Sequence, residues 1–153
     1  MVYFDKDFDI IKIKKIHPNA VIPEYKTVGA AAFDLTVVEN YVLFAQEAHL
    51  FSTGLIMEIP KGYFGYIRPR SGLAVQYGIG ILSSNVIDCD YRGEVKINLY
   101  NYNSYKSCEI KAGERVAQML ILPAPQFKIV EETGNLSNTE RGEGGFGSTG
   151  VTT

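Results

Sequence analysis

Apolar residues along this chain recur mostly at every second position. Ile11 and Ile13 alternate with Lys12 and Lys14, Tyr63, Gly65 and Ile67 interleave with Phe64, Tyr66 and Arg68, and Val95, Ile97 and Leu99 alternate with Lys96, Asn98 and Tyr100. A period of two sends successive side chains to opposite faces, so these stretches predict short, half-buried strands. Turn formers separate them at Pro60-Lys61-Gly62, Tyr91-Arg92-Gly93-Glu94 and Lys111-Ala112-Gly113-Glu114. No stretch of ten or more residues carries a helical period. One short helix is predicted, with Ser71 as its N-cap, running through Leu73-Ala74-Val75-Gln76-Tyr77 and stopping at Gly78. Many short strands with frequent turns indicate an all-β sandwich, jelly roll or barrel.

Composition narrows this further. The 153 residues suffice for one core, and 46% hydrophobic with 21% charged content is ordinary for a globular domain. The only break comes near Gly134, where a Gly/Ser/Thr/Asn-rich tail begins, so the expected division is a β body over 1–133 and an arm over 134–153. A formal net charge of −2 argues against stable nucleic-acid binding. No apolar run reaches the roughly 20 residues of a membrane span, and no signal or transit pattern opens the chain. The expected location is therefore intracellular, cytoplasmic or nuclear. Cys89 and Cys108 lack metal-ligand spacing and are expected as free thiols. His17 and His49 stand without an obvious nucleophile, and neither is assigned to catalysis.

Five segments carry candidate chemistry. Ala31-Ala32-Phe33-Asp34-Leu35 sets one carboxylate in an apolar strand, which alone also fits a strand-end turn. Arg68-Pro69-Arg70-Ser71-Gly72-Leu73-Ala74 puts two guanidinium groups and a hydroxyl at a helix start, either an anion site or a capped surface turn. In Ile87-Asp88-Cys89-Asp90-Tyr91-Arg92-Gly93 the carboxylates at i and i+2 share a side of an extended chain, to serve a water or cation or merely to form an acidic tip. Glu114-Arg115-Val116-Ala117-Gln118-Met119-Leu120 reads as a buried strand with Gln118 as its odd polar member. Finally, Arg141-Gly142-Glu143-Gly144-Gly145-Phe146-Gly147-Ser148-Thr149-Gly150 cannot pack a core. It is a disordered terminus or a flap offering amides, an arginine fork and an aromatic face to a ligand.

In order and spacing these segments resemble the five motifs of the trimeric dUTP pyrophosphatase (dUTPase) family, over nearly the whole chain from about Pro23 to Gly150. The resemblance implies a distorted jelly-roll-like fold, a homotrimer with shared active sites, and a C-terminal arm that closes a neighbour's site. It implies hydrolysis of dUTP to dUMP and pyrophosphate with Mg²⁺. Asp88 would activate the water that attacks the α-phosphorus, and Tyr91 would pack on the sugar and exclude a 2′-OH. Arg70, Ser71 and Gln118 would hold the triphosphate, with Gly72 beside them. Arg141 would reach the γ-phosphate, and Gly147, Ser148 and Thr149 would complete the cradle. Phe146 would stack on uracil. Asn85 and Ile87 belong to a hairpin over about 78–87 whose backbone would read the base. Mg²⁺ would be held mainly by phosphates and water, with Asp34 acting indirectly.

Two positions depart from the family pattern, Ala32 and Asn85, each where glycine is usual. Three other readings stay open, the plainest being a structural jelly-roll domain with a floppy tail. The dCTP deaminases share the fold but need a glutamate base and a different second motif, and a dUTP-responsive binding protein would use the same pocket as a switch.

Overall fold

The computed structural model describes residues 10–83 and 85–145. Its strands are β1 (Lys12–Lys15), β2 (Phe33–Thr36), β3 (Tyr41–Leu43), β4 (Ala48–Glu58) and β5 (Tyr63–Pro69). Among the described residues a single helix, α1 (Ser71–Tyr77), precedes β6 (Ile79–Ser83), β7 (Val86–Ile87), β8 (Glu94–Asn101), β9 (Cys108–Ile110) and β10 (Arg115–Pro123). They form two four-stranded sheets, ordered β1-β4-β8-β6 and β2-β10-β5-β7, and a two-stranded ribbon of β3 and β9. All the ladders are antiparallel.

The core lies between the sheets because strands of both alternate inward and outward residues, a pattern interrupted by register shifts in β4 between Ser52 and Ile56 and in β10 between Arg115 and Ala117. Phe51, Leu55, Val95, Ile97 and Leu99 come from one sheet and Phe33, Leu35, Ile67, Ala117 and Met119 from the other, all buried in one cluster. Burying each of the larger side chains contributes roughly 1.5–3 kcal/mol. No described helix is long and apolar enough to cross a membrane. Cys89 and Cys108 are free thiols, and burial, with a lesser push from Glu114, raises the Cys108 thiol above its usual range.

Three local expectations need correction. Ser71 is not the N-cap: Arg70 holds that place with extended backbone (φ −82°, ψ 136°), and no side chain caps the helix. The stop at Gly78 is as expected, in the left-handed conformation (φ 62°) that glycine adopts at no steric cost. The turn assigned to Tyr91-Arg92-Gly93-Glu94 closes earlier, through the bond from Tyr91 N–H to Asp88 C=O at 3.1 Å, because aspartate favours the first turn position. The third correction concerns the hairpin over 78–87. Among the described residues β6 and β7 do not pair; β6 joins β8 and β7 joins β5, so this segment crosses between sheets.

Candidate active site

Apart from those of the arm, the predicted site residues fall mainly into two groups, centred toward opposite ends of β5. At the first, here the arginine end, three strands converge. Asp34 on β2 pairs directly with Gln118 on β10, and Gln118 pairs with Arg68 on β5. Asp34 faces away from the core, since its neighbours Phe33 and Leu35 point inward. Its carboxylate takes two cations, Arg70 Nε at 3.0 Å on Oδ1 and Arg115 Nη1 at 3.2 Å on Oδ2. Arg70 Nη1 also donates to the Arg115 carbonyl at 3.0 Å, and Gln118 Nε2 donates to the Pro69 carbonyl at 3.0 Å. The result is two guanidinium groups on one carboxylate, a net positive cluster beside the exposed Ser71 and Gly72. Not having been spent on capping, the Ser71 hydroxyl is available to a ligand. A cavity of about 510 Å³ opens alongside, lined by Ala30, Ala31, Ala32, Arg68, Pro69, Gln118 and Leu120.

The second group is the aspartate turn. Asp88 follows β7, is exposed, and among the described residues its carboxylate makes no hydrogen bond or ion pair. The turn is held by backbone acceptors: Arg92 Nη1 donates to the Cys89 and Tyr91 carbonyls at 2.7 and 2.9 Å. Tyr91 donates its hydroxyl to the Glu94 carbonyl at 3.1 Å, and its ring lies so close over Gly93 that a Cβ there would overlap it. Only glycine leaves room for that ring. Asn85 accepts from the Ile67 N–H at 2.7 Å through its carbonyl. The Ile87 side chain is 7% exposed and belongs to the core, so any contact with a ligand would fall to its backbone.

Ala32, half-buried in the cavity wall, has no positive φ: among the described residues the one non-glycine that does is Gln46. Its methyl group therefore sits without backbone strain. Arg141 is exposed in a turn, its Nε donating to the Gly144 carbonyl at 2.9 Å, and makes no contact with either group. Phe146, Gly147, Ser148 and Thr149 lie outside the described residues. Residues 125–143 are all exposed, so the uncovered stretch begins ahead of the composition break at Gly134.

Sequence reasoning missed Arg115. A bulge between Arg115 and Ala117 buries Val116 and Ala117 consecutively and turns Arg115 onto the face of Asp34 and Gln118. The run Met119-Leu120-Ile121-Leu122 makes the strand apolar on both faces, so the sequence carried no signal that set Val116-Ala117 apart as a bulge.

A divalent cation finds no protein cage here. Among the described residues no three His, Cys, Asp or Glu side chains converge, and both Asp34 oxygens are turned to arginines. The donor set fits an ion that arrives on a phosphate chain and keeps its waters.

A family model described as dUTPase matches residues 18–150. The deoxyuridine 5'-triphosphate nucleotidohydrolase of Nautilia profundicola is 50% identical over 141 residues, covering 92% of this chain and 98% of that protein. Its counterpart from Hydrogenobaculum sp. is 47% identical over 141 residues, covering 91% and 96%. A solved structure of a Staphylococcus bacteriophage 80alpha dUTPase mutant with dUpNHpp aligns with a TM-score of 0.87 at 30% identity, covering 93% of this chain and 99% of that one.

Proposed function

The chain belongs to the dUTPase family, and from that premise we propose that it is a dUTP diphosphatase whose sites are each assembled from three copies of the chain. It hydrolyses dUTP to dUMP and pyrophosphate, which limits uracil incorporation into DNA and supplies dUMP for dTTP synthesis.

One observation carries the shared-site reading. Ile87 pairs with Gly65, so Asp88 falls level with Phe64, while Arg70 lies six residues further along β5. At the rise of a strand that is about 20 Å. A base acting on the α-phosphorus and a cation holding the same phosphate chain must lie within a few ångströms of one substrate. One copy alone keeps them apart; the arginine end of one copy against the aspartate turn of another brings them together. A closed threefold ring of such head-to-tail contacts gives three equal sites.

In such a site Asp88, uncommitted among the described residues of its own chain, takes a proton from the attacking water. The Tyr91 ring, fixed over Gly93, presents its flat side to C2′ and leaves no space for a ribose hydroxyl. Arg70, Ser71 and Gln118 hold the triphosphate, with Gly72 giving close approach. In-line displacement at phosphorus needs mostly alignment and charge neutralisation, which these cations supply. Bound Mg²⁺ would add neutralising charge on the phosphate oxygens, with Asp34 bearing on it only through water. Backbone groups around Asn85 and Ile87 read uracil; cytosine would leave buried polar groups unpaired at roughly 1–3 kcal/mol each. The arm carries Arg141 to the γ-phosphate and Phe146 to the base, with Gly147, Ser148 and Thr149 closing the cradle. The run over 125–143, exposed throughout among the described residues, supports that role.

Pyrophosphate release from dUTP, dTTP, dCTP and UTP with Mg²⁺ tests the reading. Selective turnover of dUTP is expected. Ammonia from dCTP would indicate a deaminase, and no release from any of the four would reject the enzyme.

A further inference from the structure

We propose that Arg115 is a positioning residue that sets the phosphate-binding conformation of Arg70 through Asp34; this rests on the arginine end being the triphosphate site. The Asp34 side chain is 16% exposed and has two oxygens to share. Arg115 occupies Oδ2 and Arg70 meets Oδ1 through Nε. Left alone, a carboxylate and a guanidinium favour the bidentate fork, with two parallel N–H···O bonds. Arg70 would then spend its fork on Asp34. With Oδ2 already taken, Arg70 is confined to one oxygen, and its Nη1 is tied to the Arg115 backbone carbonyl. Arg115 thus constrains Arg70 twice, by side chain and by main chain, and leaves Arg70 Nη2 for an anion.

The strand is built to allow this. With regular alternation Arg115 would share the face of Ala117 and Met119, which are fully buried. The bulge in β10 gives that face to Val116 and turns the guanidinium outward, 48% exposed, onto the side of Asp34. Charge follows the same logic: two cations on one carboxylate leave a surplus positive charge that a phosphate chain neutralises.

A double-mutant cycle on the full chain reads the coupling. Arg115→Gln is expected to raise KM for dUTP and weaken inorganic tripolyphosphate binding about tenfold, while deoxyuridine, which has no phosphate, binds as before. Arg115→Lys, which keeps a cation at Oδ2, should recover part of the loss. In an Arg70→Ala background the further effect of Arg115→Gln should fall below twofold. An undiminished tenfold effect in that background, or a proportional loss of deoxyuridine binding and thermal stability, would overturn the proposal. Failure of the functional reading is distinct: the unsubstituted chain would then not turn over dUTP, and tripolyphosphate binding would still report whether Arg115 acts through Arg70.

Discussion

The arginine end and the aspartate turn are built on opposite plans. At the arginine end, side chains from three strands hold one another: Asp34 takes Arg70 and Arg115, and Gln118 is tied to the Pro69 carbonyl. At the aspartate turn the main chain does the holding, with Arg92 and the Tyr91 hydroxyl on carbonyls and Gly93 beneath the ring, while Asp88 is left without a partner among the described residues. The difference matches the two tasks proposed for these regions. Holding a polyanion needs cations fixed before the ligand arrives, whereas a base must keep its lone pairs for water. A carboxylate whose oxygens are already taken by guanidinium groups has little left to offer an attacking water, and an unsupported arginine would lose side-chain entropy on each binding event.

Substitutions can break this contrast, and the largest effect belongs to the uncommitted carboxylate. Asp88→Asn should lower kcat by about 10²–10⁴ while dUTP affinity by calorimetry stays within about threefold. Gly93→Ala comes next: its Cβ would push the Tyr91 ring aside, so the ratio of kcat/KM for dUTP over UTP should fall about tenfold. The smallest effect is expected at Gly72, where an added Cβ meets nothing within 4 Å and φ is not positive. Gly72→Ala should stabilise α1 by about 0.5–1 kcal/mol in thermal melts, yet reduce kcat/KM severalfold, because the proposed site puts the triphosphate in that open space. Unchanged turnover in that variant would remove Gly72 from the site.

Much of this was legible in the chain, and the exceptions share a cause. Val95, Ile97 and Leu99 announced a core-facing strand and are buried to within 1%. The stop of α1 at Gly78 was readable because it depends on one residue's backbone freedom. The hairpin over 78–87 was misread because β6 and β7 choose partners distant in sequence, which local pattern does not encode. Arg115 stayed hidden for a similar reason: a bulge exists only relative to the strand it faces. The motifs named Asp88 and Arg70 but not their separation, which came from the register of β5 with β7.

That separation is most directly tested by complementation. Asp88→Asn and Arg70→Ala chains, carrying different tags, would be co-expressed and the mixed assemblies purified through both tags. If one copy supplies the aspartate turn and the next the arginine end, each mixed trimer regains one intact site, about a third of the unsubstituted turnover. Mixed trimers as inactive as their parents would contradict the account, placing both groups of each site in one copy.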